Sequence, residues 1–133
     1  AAACSVRRMV AQHIAWAYAP SPEPPAEAAP LDGGASGNRA ISVGGVIALE
    51  NAVLNASFAG AVLRYGQLYG PGTGTDAPAG ASPLHVDAAA QAALLALTRG
   101  APGIYNVAED DGTVLSEKAR RELGFDPAFR IAG

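Results

Sequence analysis

The chain has 133 residues, half of them apolar, and a formal net charge of −3 from nine basic and twelve acidic residues. That length suits one domain, and the charges are scattered rather than gathered into a basic stripe, which excludes an electrostatic footprint for nucleic acid or an anionic membrane surface. The single cysteine, Cys4, permits no internal disulfide and the two distant histidines offer no metal-ligand spacing, so no metal is expected and a reducing, cytoplasmic setting is.

Most of the apolar excess is alanine, beside 16 Gly and 10 Pro, so the core is expected to bring helix close to strand. Residues 1–7 read as the tail of a helix. They lack a signal peptide's order, because Arg7 and Arg8 follow the alanine run instead of preceding it. Residues 8–18, RMVAQHIAWAY, carry Met9, Val10, Ile14 and Trp16 with few polar members, which predicts a strand covered on both faces and stopped by Pro20. Residues 20–39 hold five Pro and three Gly and predict an irregular, mobile loop, of a length that is more often functional than connecting.

From Ser42 the period changes. Val43, Val46, Ile47, Val53 and Leu54 recur three and four apart, predicting a helix over 43–57 with Ser42 as its N-cap. Glu50 falls on the apolar face of that helix, where a carboxylate needs a partner; Arg39 and the strand ends are the candidates. A strand follows at 61–65. Turn residues fill 66–80, SPLHV forms a short strand, and Asp87 opens an Ala/Leu helix that ends at Gly100. The richest apolar run, 84–97, is interrupted by His85, Asp87 and Gln91, so no membrane span is predicted. GIYNV, 103–107, is the last strand, and Ser116 caps a short helix stopped by Gly124. Strands alternating with helices indicate an α/β arrangement with a parallel sheet, of which only about three strands can be counted.

Four segments in this order, LRYGQLYGPG, PLHVDAAAQAALLAL, GIYNVAEDD and SEKARRELGFDP, resemble the carboxy-terminal part of the extended short-chain dehydrogenase/reductase family, the NAD-dependent epimerase/dehydratase group. The resemblance runs from about Val6 to Phe129. It implies a partial NAD(P)-binding Rossmann-like fold, a parallel sheet remnant with flanking helices, whose first half and glycine-rich phosphate loop lie upstream. NAD or NADP is therefore expected only with that upstream half, together with a small-molecule substrate such as a sugar nucleotide or another carbonyl compound. No phosphate loop occurs here: Gly44 and Gly45 sit inside the periodic helix, and Pro71 interrupts Gly70, Gly72 and Gly74.

The family acts with a Ser or Thr at a strand end and a Tyr-x-x-x-Lys on the next helix, since the phenol must exchange a proton with the substrate oxygen and a cation must lower its pKa. Aligned on Tyr18 and Glu50, those positions read Ile14, Ser42 and Val46. The isolated chain is accordingly expected to be inactive. Ser42 and, beside Ile14, His13 are the remaining catalytic candidates. Tyr69, Gly70, Pro71 and Gly72 match the family's turn beside the nicotinamide and are the cofactor-side candidates. Arg64, able to meet an anion, and His85, readable with Asp87 as a dyad, are the substrate-side candidates. Each has a structural reading too: His13 as a half-buried core residue, Arg64 as the partner of a carboxylate, Asp87 as negative charge at a helix start. The alternative function is a non-catalytic binding or sensor module, or a homodimer formed through helix 43–57, a region through which family members often dimerise.

Overall fold

The computed structural model describes residues 6–78 and 80–131, so Cys4 and most of the expected helix tail at 1–7 lie outside it. In chain order the elements are β1 (Arg8–Ile14), α1 (Gly37–Leu54), β2 (Ala59–Tyr65), β3 (Gln67–Tyr69), β4 (Pro83–His85), α2 (Val86–Ala96), β5 (Gly103–Val107) and α3 (Glu117–Leu123). β1, β2 and β5 form a parallel sheet in the order β1-β2-β5, and β3 pairs in parallel with β4 in a second, two-stranded sheet. The expected parallel α/β arrangement with flanking helices is present.

Alternation along β2 sorts the two faces. Leu63 and Tyr65 pack with the buried Ala88, Ala89, Ala92 and Ala96 of α2, and Tyr105, Val107, Ala119 and Leu123 complete that cluster. The alanines keep α2 thin on this side, so helix and sheet approach closely, as the composition predicts. Arg8 closes the helix, its guanidinium donating to the carbonyls of Ala96, Arg99 and Gly100 at the C-terminal end where carbonyls lack helical partners. On the opposite face, α1 presses so near the sheet that a Cβ on Gly60 would lie 2.6 Å from the Val53 carbonyl oxygen. Only glycine fits between them.

The open edge of β5 is covered by side chains. Lys118 Nζ donates to the Ile104 carbonyl at 2.7 Å, and the Asn106 amide donates to Glu27 Oε2 at 2.8 Å. Such capping blocks strand addition. Among the described residues nothing pairs with the outer edge of β1.

Several boundaries move. α1 starts at Gly37 with Ser36 at the N-cap, so Ser42 lies within the helix instead of capping it; the first turn carries no apolar repeat, which is the signal that hid it. β1 stops at Ile14 rather than at Tyr18, because the chain turns there to bury Ala15, Ala17 and Tyr18. The 20–39 segment is not loose. Its Tyr18–Leu31 bridge, the Asp32 amide on the Ala17 carbonyl and the Leu115 amide on the Pro25 carbonyl hold it as a flap over the strand ends. Ser116 does occupy the N-cap of α3, yet its hydroxyl donates to the Ala108 carbonyl at 2.8 Å and not to the helix. Gly124 ends α3 in the left-handed conformation expected of it.

Candidate functional site at the strand ends

In parallel α/β sheets ligands gather at the carboxyl ends of the strands. Here those ends are aligned by register: His13 lies opposite Arg64, and Arg64 opposite Asn106, a polar row across all three strands on the face toward α1. Polar groups this deep require partners, and each has them. Arg64 donates Nε to Glu50 Oε2 and Nη2 to Glu50 Oε1, both at 2.7 Å, and Nη1 to the Tyr18 hydroxyl at 2.8 Å. The Tyr18 hydroxyl donates in turn to Asn106 Oδ1 at 2.5 Å, and Asn106 Nδ2 donates to the Leu115 carbonyl at 3.1 Å. His13 Nε2 lies 2.7 Å from Glu50 Oε2, with Nδ1 3.1 Å from the Ile14 carbonyl.

The electrostatics follow from this wiring. Burial raises the cost of charging Glu50, but hydrogen bonds from His13 and Arg64 and the charge of Arg64 outweigh it and hold the carboxyl at about 2. Tyr18 is pushed up by burial, although Arg64 opposes the shift. The phenol therefore stays protonated and serves as a donor. Glu50 thus finds its partners at the strand ends, while Arg39 pairs with Asp32 at 2.8 Å.

Of the expected site residues, Ile14 and Ser42 come together. They line one cleft of about 190 Å³ with Asn38, Arg39 and Val43, and Ile14 packs in the same cluster as Val46. The three positions that replace serine, tyrosine and lysine in the alignment with the family are thus neighbours in space. His13 borders a second cleft of about 290 Å³ with Ile14, Tyr65, Gly66 and Leu68. Both of its ring nitrogens are engaged, Nε2 by Glu50 and Nδ1 by the Ile14 carbonyl. The Arg64 guanidinium is engaged by Glu50 and Tyr18 within the protein, and its residue is only 3% exposed.

The other candidates lie elsewhere. Tyr69 is buried, with its hydroxyl bonded to Glu109 at 2.5 Å and receiving Arg130 Nη2 at 3.0 Å, and its ring stands edge-on to His85. Burial and the Glu109 carboxylate push this phenol up. Gly70, at φ 110, lets the chain pass His85, whose Nε2 would be 2.7 Å from a Cβ there; Pro71 and Gly72 are exposed. Gly66 and Leu68, not residues 69–72, border the cleft at the strand ends. His85 is the N-cap of α2: its Nδ1 accepts from the Asp87 amide at 3.0 Å and lies 3.8 Å from Asp87 Oδ2.

Sequence reasoning missed Trp16, which borders both of these clefts and a third of about 390 Å³ beneath the flap. A lone indole between two alanines just past a strand was the available signal. Among the described residues no group of three or more His, Cys, Asp or Glu is placed to hold a metal, and no helix is long and apolar enough to cross a membrane.

No family model matches the chain, and no solved structure does. It is similar to a protein of Streptomyces sp. named 3-diazoavenalumate denitrifying reductase, 39% identical over 132 residues that take in 84% of this chain and 43% of the relative. The chain therefore spans less than half the length of that relative. In sequence it is reductase-like.

Proposed function

We propose that this chain is the carboxy-terminal portion of an NAD(P)-dependent reductase of the extended short-chain dehydrogenase/reductase kind, the epimerase/dehydratase group, and that the clefts around Ile14 and Trp16 form its substrate end. The observation that carries the proposal is the meeting of Ile14, Ser42 and Val46 at the end of the first strand of a parallel sheet. Alignment with the family selects the same three positions. The residues present suit one end of a dinucleotide: Ile14, Trp16, Tyr65 and Leu68 offer a flat ring an apolar cleft beside Gly66. Among the described residues they include no cradle for its pyrophosphate, and the proposal assigns that contact to the upstream half.

When bound, the dinucleotide supplies hydride. What this chain supplies is a site without a phenol or ammonium at the reacting position. Reduction of a carbonyl, in a sugar nucleotide or elsewhere, ends in an alkoxide that must be protonated, and Ser42 is a poor donor for it. A diazonium group makes no such demand: hydride added to its terminal nitrogen gives a neutral diazene, which releases N2 and leaves hydrogen on carbon. A reductase of that substrate class fits Ile14 and Val46 as they stand, and the name of the Streptomyces relative supports it. The test is a calorimetric titration of NAD+ and NADPH against this chain and against the chain extended upstream, followed by assay of NADPH oxidation with a diazo acid and with a ketone. Binding by the extended form alone and turnover of the diazo acid alone are expected; turnover of the ketone with Ser42 intact and its loss in Ser42→Ala would overturn the substrate assignment.

The outer face of α1 favours a second copy of the chain as partner. Ile41 is 75% exposed, and Ala40, Gly44 and Ala48 beside it leave the helix backbone open to close approach. Sedimentation is expected to give a dimer that Ile41→Glu dissociates; an unchanged dimer would place the interface elsewhere.

A further inference from the structure

We infer that Trp16 is the recognition platform of this site and that its ligand is a planar, conjugated carboxylate, an inference that rests on the reductase reading and names its substrate class. The backbone at this residue is fixed. Ala15 and Ala17 are buried, the Ala15 amide donates to the Tyr65 carbonyl at 2.8 Å, and the Trp16 carbonyl accepts from Arg39 Nη1 at 2.8 Å. The indole, 40% exposed, is turned outward from this anchored turn. It is the residue that all three clefts at the strand ends share.

Polarity divides across the indole. The flap-side cleft of about 390 Å³ is walled by Pro22, Pro24 and Val114, and its charged side chain, Glu23, is negative. The α1-side cleft holds Arg39, Asn38 and Ser42. Arg39 donates to Asp32 Oδ2, Trp16 O and Tyr18 O. Those bonds engage three of a guanidinium's five donors, and its side chain is 43% exposed. A flat ring stacked on the indole can therefore extend an apolar arm toward the prolines and turn an anionic end to Arg39. Asp32 offsets much of the charge of Arg39, so the contact is one of directed hydrogen bonds, for which a planar carboxylate is the matching acceptor. Stacking on a π-face also discriminates against rings that are not flat.

The test uses the protein's single tryptophan as its own reporter. Titration with trans-cinnamate is expected to quench its fluorescence saturably and to give a matching calorimetric isotherm. Cinnamamide, which keeps the ring without the charge, is expected to bind about tenfold more weakly, and cyclohexanecarboxylate, anionic but not flat, is expected not to bind. Arg39→Gln, which also releases the Trp16 carbonyl, should weaken cinnamate by at least that factor and cinnamamide by clearly less. Trp16→Leu, with its fold verified by circular dichroism, should abolish calorimetric binding of both. Cinnamate without effect, or cyclohexanecarboxylate bound equally, or an unchanged isotherm in Trp16→Leu, would overturn the inference. The two readings separate in the chain extended upstream: NADPH oxidation that Trp16→Leu leaves intact removes the platform and keeps the reductase, whereas cinnamate binding with no dinucleotide binding does the reverse.

Discussion

Arg64 grips Glu50 through two parallel hydrogen bonds of 2.7 Å, with the two side chains 3% and 8% exposed. The fork matches the carboxylate edge, and the pair is the centre of a network that ties a helix, three strands and the flap together. Burying two charges is costly, and removing one partner leaves the other uncompensated. Glu50→Leu is therefore expected to cost about 3–5 kcal/mol in denaturant unfolding, because it strands both Arg64 and His13. The double variant Glu50→Leu, Arg64→Met should recover most of that loss; if it is as unstable as the single change, the pair is not the source.

Acid should act through the same carboxyl. Its folded-state value of about 2 lies below the ordinary 4.5, so the folded chain binds this proton less readily than the unfolded one. The stabilisation is complete above about 4.5 and is lost as pH falls from there toward 2, by up to about 3 kcal/mol. Unfolding free energies measured between pH 6 and pH 2.5, on the order of the range that brackets this titration, should decline in the wild type and decline less in Glu50→Gln. Parallel curves would locate the acid sensitivity in other groups.

Ser82 is fully buried with φ 52, a left-handed backbone that L side chains rarely adopt, and its hydroxyl has no protein partner among the described residues. Its amide is held by Asp111 Oδ2 at 2.7 Å, a bond that glycine would keep. Ser82→Gly should raise stability by about 1 kcal/mol, read as a higher melting temperature. A lower one would mean that the hydroxyl has a role the strain conceals.

Gly60→Ala tests the contact of α1 with the sheet. With the Val53 carbonyl 2.6 Å from the added Cβ, helix and strand must separate, at a cost of about 1–3 kcal/mol. The shift should also loosen Glu50, one turn before Val53, and thereby shrink the acid-sensitive component described above.

How far the sequence carries depends on the kind of signal each residue leaves. Local and periodic signals sufficed for β5, read at 103–107 as it stands, for the Ala/Leu helix after His85, and for Gly124 as a helix stop. They failed where tertiary contacts set the ends. Gly37 and Asn38 are weak helix formers, yet they extend α1 by a turn, and β1 halts early because burial of Ala15 and Tyr18 outweighs β-propensity. Alignment on Tyr18 and Glu50 located Ile14, Ser42 and Val46, and the folded chain set Ile14 beside the helix that carries the other two.

The sequence by itself determined the alternation of strand and helix, the small-residue core and the misplaced carboxylate on the apolar face of α1, because these are properties of spacing and side-chain type. Register decided the rest. That His13, Arg64 and Asn106 stand in one row and that Arg64 answers Glu50 are facts of strand pairing over long sequence separations. No local pattern encodes them, since a shift of one residue would send every one of those side chains to the opposite face.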